Sequence, residues 1–356
     1  MKILISYYLP SGGMETLNRL RAEALSKHRV NCYFHYLWPG NGVQNINGLP
    51  ICISDHDGEI QHLLHTEQFD AVIVSHNYMT LERIRSLGFR GPILFEVQGL
   101  GQRHDAVQTL MEAAPFIRSY SNGVLYPVTS HLIELFRGMF PDVGQFCFHN
   151  LLDTERFGYR SLPVHPYPIV GWVGRIETNK NWRAFLQIGY ELRKIFPNLQ
   201  LWLFEDATLR KQEEQDAFNH MIVSQDMGSY LFRLSNVPHQ EMAEYYSRIG
   251  DAGGFLASTS ILEGFGYAVS EAMLCRCPVL STDSDGVRSF IVHNQTGKFY
   301  PQGRIDIAAL EAVDLINNHP LREQIRNNGE EHIKSNFSAD LYCNQFLEMM
   351  HSLGVH

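Results

Sequence analysis

The chain has 356 residues, 44% hydrophobic and 19% charged, with a formal net charge of −9 at pH 7. That length exceeds what one hydrophobic core usually supports, so two domains of about 150 to 200 residues are expected. The balance excludes a disordered or fibrous chain, and an acidic excess without a basic stripe argues against a nucleic-acid partner.

Six cysteines, at 32, 52, 147, 275, 277 and 343, form no paired C-x-x-C sets of the kind that surround zinc. They read as free thiols of a cytosolic protein. The opening MKILISYYLPSGG has too short an apolar run for a signal peptide, and no stretch approaches the roughly 20 apolar residues of a membrane span. A soluble, cytoplasmic protein is expected.

Taken in chain order, KILISYY reads as a buried first strand, LPSGG as a glycine loop, and METLNRLRAEALSK as a helix with Leu17, Leu20, Ala24 and Leu25 at helical spacing. FDAVIVSHN and GPILFEVQG repeat the buried-strand pattern, each ending in polar residues where a parallel sheet places its ligand crevice. VLYPVTS continues it. The turn-rich HNLLDTERFGYRSLPVHPYP precedes a new series, which puts a domain junction near residues 155–166. IVGWVGR then reads as a strand, NWRAFLQIGYELRKIF as a helix, LQLWLFED as a strand and HQEMAEYYSRI as a helix. GGFLAST and CPVLSTD are further strands, and SADLYCNQFLEMMHSL is a terminal amphipathic helix. Alternation of this kind predicts two wound α/β halves.

The segment TSILEGFGYAVSEAM carries the most chemistry. A strand should end near Thr259, a loop should follow, and a helix should begin at or just after Gly264-Phe265-Gly266 and run to about Cys275. The glycines let a ligand approach the backbone, and the N–H groups opening that helix, at the positive end of its dipole, suit a diphosphate. Glu271 inside the helix and Glu263 in the loop before it would repel phosphate and are better suited to accept hydrogen bonds from hydroxyls. Two sugars flanking a diphosphate satisfy that pattern: a nucleotide sugar. VGWVGRIETNKNW adds Arg175 and Lys180 in the loop after the first strand of the same domain, a planar fork and a compact charge for phosphate oxygens.

These residues, in this order and spacing, resemble the retaining nucleotide-sugar glycosyltransferases of family four (glycosyl transferases group 1), over most of the chain. SGGMET is similar to that family's N-terminal glycine loop, HNLLDTERF to its junction motif, VGRIETNK to its phosphate loop, and EGFGYAVSEAMLCRCPVLSTDSDGVRSFIVHNQTGKFY to its donor-binding segment. The resemblance implies an α/β chain of the GT-B type, with two Rossmann-like doubly wound parallel-sheet domains facing a central cleft. It assigns residues 1–160 to acceptor binding, 161–336 to the nucleotide-sugar donor, and 337–356 to a terminal helix that crosses back to the N-terminal domain. By the same resemblance Arg175 and Lys180 hold the diphosphate, Glu271 binds the ribose, and Glu263 contacts a donor-sugar hydroxyl or the reacting face. The backbone of Gly264, Phe265 and Gly266 lines sugar and phosphates, and Gly13 approaches the diphosphate. No metal and no cofactor are implied, because two cations and a helix start take their place, and a UDP-sugar is the favoured donor.

Two positions depart from the family pattern. Gln98 stands where many relatives carry a histidine, and His104 is the nearby alternative; a glutamine can bond a hydroxyl but cannot serve as a base. FEDA, with Glu205 and Asp206, replaces a Gly-x-Gly strand end and leaves the nucleobase contact open. The acceptor is open too: Tyr8, Trp38, His76, Tyr78 and His104 are candidates for its side of the site, and their types select no acceptor class. A sugar-nucleotide epimerase of the same architecture and a non-catalytic nucleotide-sugar binder are the alternatives to transfer. A dinucleotide oxidoreductase is disfavoured because SILE makes the strand-to-helix turn too long and Val269 fills its third small position. The first helix carries Arg19, Arg21, Lys27 and Arg29 beside Glu15 and Glu23, which reads as a solvated face rather than a membrane-docking one.

Overall fold

A computed structural model describes all residues except 47, 102, 156 and 207–210, and the side chains of 41 and 45. In chain order the first half contains β1 (Lys2–Tyr7), α1 (Gly12–Ser26), β2 (Asn31–Tyr36), β3 (Ile51–Ile53), α2 (Asp57–Glu67), β4 (Ala71–Ser75), α3 (Met79–Ser86), β5 (Ile93–Glu96), α4 (Arg103–Tyr120), β6 (Gly123–Tyr126), α5 (Ser130–Met139) and β7 (Gln145–Cys147). The second contains β8 (Ile169–Val173), α6 (Trp182–Ile195), β9 (Gln200–Glu205), α7 (Gln212–Ser224), β10 (Leu231–Ser235), α8 (Met242–Asp251), β11 (Phe255–Ser258), α9 (Tyr267–Leu274), β12 (Val279–Thr282), β13 (Lys298–Tyr300), α10 (Ile305–Asn317) and α11 (His319–Asn336). Helix α12 (Ala339–Ser352) ends the chain. Two compact units result, Met1–Leu152 with Phe337–His356, and Asp153–Asn336.

In the first unit the described strands form one parallel sheet in the order β3-β2-β1-β4-β5-β6-β7. The central strands are buried on both faces, which is why β1 and β4 read as continuous apolar runs. The order reverses between β1 and β4, so the crevice at the C-terminal ends of those two strands is where such a sheet binds ligands. Strands β2, β3, β7, β10 and β13 do not stand out in the hydrophobic pattern, and β2 shows why. Its His35 is buried yet satisfied, with one ring nitrogen 2.8 Å from Ser6 Oγ and the other 2.9 Å from Ser54 O. A polar residue can sit in a core when both its ring nitrogens find partners.

Helix α12 packs on α1 and buries Tyr342, Cys343, Phe346, Met349 and Met350 within the first unit. The chain leaves this unit and returns to it at adjacent points, since Leu152 N donates to Phe337 O at 2.9 Å. Arg21 corrects the solvated-face reading of α1. It is fully buried and its Nη2 lies 2.6 Å from Glu96 Oε1, while Glu15 is buried as well and pairs with Arg19 at 3.0 Å. Sequence spacing assigned Arg21 to the surface because its partner is 75 residues away.

The second unit's described strands form a parallel sheet in the order β10-β9-β8-β11-β12-β13, which reverses between β8 and β11. Its core centres on Trp172, Trp182, Phe185 and Leu203, with the two indoles buried. Burying large apolar side chains of this kind contributes roughly 1.5–3 kcal/mol each. Helix α6 supplies Trp182, Phe185, Leu186 and Leu192 to that core and carries Arg193 and Lys194 in its last turn, where they complement the dipole. Asn181, in the left-handed region at φ 51°, caps its start by accepting from Ala184 N at 3.4 Å.

Candidate functional site

The loops after β8 and β11 lie at the reversal point of the second unit's sheet. They are stitched together by Asn179, a residue of VGRIETNK that bears no charge of its own. Its carbonyl accepts from Ile261 N at 2.8 Å, its side-chain amide donates to Leu262 O at 3.1 Å, and its side-chain oxygen accepts from Leu262 N at 3.1 Å. Thr259 adds a further tie, donating to Lys180 O at 2.8 Å while accepting from the buried Trp172 indole at 2.9 Å. Lys180 and Glu263 are thereby brought together from positions 83 residues apart, with Nζ 2.8 Å from Oε2. Ser260 Oγ donates to the same carboxylate oxygen at 2.9 Å. The pair is partly shielded, the two side chains being 25% and 16% exposed. An ammonium has three donors, so Lys180 can hold Glu263 and still offer N–H groups to an anion. Arg175 is more exposed and contacts Glu177 Oε1 at 3.2 Å, leaving most of its five-donor fork open to solvent.

Helix α9 starts at Tyr267, directly after Gly266. Gly266 has φ +87°, and a Cβ there would meet Val287 Cγ1 at 2.7 Å, so backbone conformation and packing both require glycine. Gly264 faces open space, with nothing within 4 Å of an added Cβ. Phe265 packs edge-on against Phe290 with centroids 4.8 Å apart. The other side of the loop is fixed by Gly286, whose added Cβ would meet Glu263 O at 2.1 Å and Gly264 C at 2.6 Å. This glycine lies in the STDSDGVRSF stretch, but only the close approach reveals its task.

Glu271 is 7% exposed, and its Oε1 lies 2.9 Å from His239 Nε2. Tyr246 is buried beside it; burial and then the Glu271 charge push the Tyr246 hydroxyl well above the ordinary tyrosine range, so it remains a protonated donor. His239 in turn packs against Phe157 at 4.8 Å. His239 and Tyr246 precede Glu271 by 32 and 25 positions and bear no motif of their own, so their types and spacing do not single them out. Glu205, at the end of β9, is paired with Arg233, whose Nε donates to Oε1 at 2.8 Å. That pairing gives the acid at the departed Gly-x-Gly position a partner within its own sheet. Ala207 of that motif lies outside the described residues.

In the first unit the remaining candidates separate. Gln98 is committed at both ends of its amide: Nε2 donates to Glu96 Oε1 at 2.9 Å, and Oε1 accepts from Asn150 at 2.6 Å. Glu96 is wholly buried and collects Arg21, Ser75 Oγ at 2.6 Å and Gln98. Burial alone would raise its pKa, but the Arg21 charge and these three hydrogen bonds outweigh it and hold the carboxyl below its ordinary value. His76, at φ 63°, has Nε2 3.1 Å from Gly99 O and 3.2 Å from Gln98 N. Desolvation holds it below the usual imidazole pKa, so it is neutral near pH 7. Tyr8 stacks on Trp38. Tyr78 instead packs on Phe116 at 5.2 Å and donates to Glu112 at 3.2 Å. His104 is exposed at the start of α4, and Gly13 is exposed in the first turn of α1.

Two doubly wound parallel sheets, the second bearing paired cations and a glycine-opened helix at its reversal point, define a GT-B glycosyltransferase fold. Residues 159–332 match the family model described as Glycosyl transferases group 1, and this part of the chain belongs to that family. Among curated relatives, the capsular polysaccharide biosynthesis glycosyltransferase CapM of Staphylococcus aureus is 25% identical over 184 residues, 52% of this chain and 46% of that protein. The 2-deoxystreptamine N-acetyl-D-glucosaminyltransferase of Niallia circulans is 22% identical over 321 residues, 89% of this chain and 74% of that one. The match thus spans about half the length of CapM and three quarters of the second relative. Among solved structures, Anabaena HepE in complex with UDP and glucose superposes with a TM-score of 0.81 at 16% identity, covering 99% of this chain and 100% of that chain. Sucrose-phosphate synthase from Thermosynechococcus elongatus gives 0.80 at 16% identity, with 99% of each chain covered. No helix among the described residues is long and apolar enough to cross a membrane.

Proposed function

We propose that this protein transfers a sugar from a nucleoside-diphosphate sugar, with UDP as the favoured carrier, to a hydroxyl acceptor with retention of anomeric configuration. The observation that carries this reading is the meeting of Lys180 and Glu263 beside the α9 start, a cation and a hydroxyl-reading acid fixed by the same loop clamp. HepE of Anabaena, which shares the fold, is described in complex with UDP-glucose, and this supports a nucleotide-sugar donor. In the proposed reaction Arg175, Lys180 and the first N–H groups of α9 stabilise the charge growing on the departing diphosphate. Fixed donors aimed at developing charge are commonly the largest single contribution to a barrier. Glu271, oriented by His239 and Tyr246, takes the ribose hydroxyls, and Glu263 takes a sugar hydroxyl; no covalent glycosyl-enzyme is invoked. The backbone of 264–266 completes the donor side within the second unit. The charge balance at the leaving group needs no metal ion in this scheme, and the cytoplasm, where free thiols persist, is the proposed compartment.

The test is turnover and donor affinity of Arg175→Ala, Lys180→Ala, Glu263→Gln and Glu271→Gln, each checked for folding. Losing one cation should raise the barrier by about 3 kcal/mol, roughly a hundredfold in rate. Wild-type turnover in all four variants would remove the assignment. Incubation with donor alone separates the alternatives, because slow release of free sugar with retained configuration supports transfer and an epimerised nucleotide sugar supports isomerisation.

A further inference from the structure

Four rings line the C-terminal edge of the first unit's sheet. Trp38 and Tyr8 are stacked within 6° of parallel at 6.0 Å; Tyr8 meets Tyr7 edge-on at 5.6 Å; Tyr7 meets His76 at 5.7 Å. They come from the ends of β2, β1 and β4, three adjacent strands, and the row straddles the β1/β4 reversal point where a wound sheet takes its ligand.

The row is built rather than incidental. Trp38 N donates to Tyr8 O at 2.9 Å, Leu37 N to Tyr7 O at 3.2 Å and Gly42 N to Pro10 O at 2.9 Å, so the loop after β2 is sewn to the loop after β1. An added Cβ at Gly40 or Gly42 would meet Pro10 O at 2.6 or 2.7 Å. His76 is held from β5, its N–H donating to Glu96 O at 2.8 Å. Yet Trp38 is 48% exposed, while Tyr36, two residues earlier, is fully buried. A large apolar face held rigid and open to water at the ligand edge of a sheet is a recognition surface, because leaving it wet forgoes burial that the fold could otherwise have taken.

We infer that the acceptor is a carbohydrate whose sugar ring lies on the Trp38–Tyr8 platform; the inference rests on the glycosyl-transfer reading above. A pyranose has an apolar face of C–H groups and a rim of hydroxyls. The flat indole takes the first. The Tyr7 and Tyr8 hydroxyls, raised above their ordinary range chiefly by desolvation and so protonated, suit the second, with the neutral His76 ring packed behind Tyr7. No member of the row carries charge, so it suits a neutral hydroxylated ligand better than a phosphate or carboxylate one. In the reaction this serves, the acceptor oxygen bonds to the anomeric carbon as the bond to the diphosphate breaks, and the hydroxyl proton leaves with the diphosphate.

The experiment is saturation-transfer NMR on the full chain with methyl pyranosides and disaccharides, run with and without UDP, on wild type, Trp38→Ala and Trp38→Phe. Wild type should transfer magnetisation to the ring C–H protons of at least one glycoside. Trp38→Ala should weaken that binding about tenfold, Trp38→Phe should retain most of it, and the UDP-induced thermal shift should be the same in all three. The inference falls if no glycoside in the panel binds wild type, if a phenolic, peptide or lipid-phosphate acceptor competes in their place, or if Trp38→Ala binds glycosides as wild type does. Absence of any UDP response in wild type would instead strike the donor reading, since the sugar arm is scored without UDP as well.

Discussion

Glu96 shows how little a residue's neighbours in sequence say about its work. FEVQG reads as a strand end bearing one acid, whereas the fold surrounds that acid with Arg21, Ser75 and Gln98 and removes it from water. Glu96→Gln leaves the buried Arg21 charge without its counter-ion and should cost about 3–5 kcal/mol, measured by denaturant unfolding. The pH dependence follows from the sign of the shift. The folded carboxyl sits below its ordinary value, so its contribution is complete above the normal glutamate range and is lost as pH falls through the folded value. The stability gap between wild type and Glu96→Gln should therefore be constant near neutrality and narrow as pH falls below about 4.3; a gap that widens with acid would contradict the pairing. Glu271 offers a second residue-scale expectation. Its orientation by His239 Nε2 at 2.9 Å predicts that His239→Ala raises the donor KM several-fold with less effect on kcat, a split visible in steady-state kinetics.

At the scale of elements, the loops after β8 and β11 act as one piece. Asn179 makes three hydrogen bonds across them, two through its side chain. Asn179→Ala should leave Leu262 N and O unpartnered by that amide and let the Lys180–Glu263 pair drift. The expected result is a tenfold or greater fall in kcat/KM, a barrier change of about 1.4 kcal/mol or more, with only a small fall in Tm. Gly286→Ala is the more severe change, because its Cβ would meet backbone atoms of Glu263 and Gly264 and the loop must move. Its readout is loss of donor affinity beyond that of Asn179→Ala. The same scale explains β2: a strand carrying Asn31 and His35 does not register as apolar, yet it pairs in register with β1 from Lys2↔Asn31 to Tyr7↔Tyr36 and delivers Trp38 to the ligand edge.

For the whole molecule, a donor held by the second unit stabilises the fold by mass action. UDP at about one hundred times its Kd should add roughly 2.7 kcal/mol, several degrees in Tm by thermal shift, and chelation should leave both that shift and turnover unchanged under the metal-free scheme. Helix α12 belongs to the first unit, packs on α1 and buries five side chains. Deleting residues 337–356 should therefore lower stability of the first unit severely, with loss of soluble expression as the simplest measure.

The alternation of apolar runs with amphipathic helices by itself determined two wound parallel sheets, since strand and helix periodicities are local properties of the chain. The glycine-opened loop with its acids, and the cations Arg175 and Lys180, were legible as one cluster of candidates from residue types at fixed spacing, and the phosphate and hydroxyl chemistry proposed for them rests on those types. Only the tertiary structure decided which charges meet. Lys180 finds Glu263, Arg21 finds Glu96 and His239 finds Glu271 across separations of 83, 75 and 32 residues. It also turned Gly286 and Asn179 from loop formers into parts of a clamp, and Tyr8 and Trp38 into a platform. Partners distant along the chain have no periodicity to betray them, because their proximity is set by strand order, and strand order is settled when the sheet assembles.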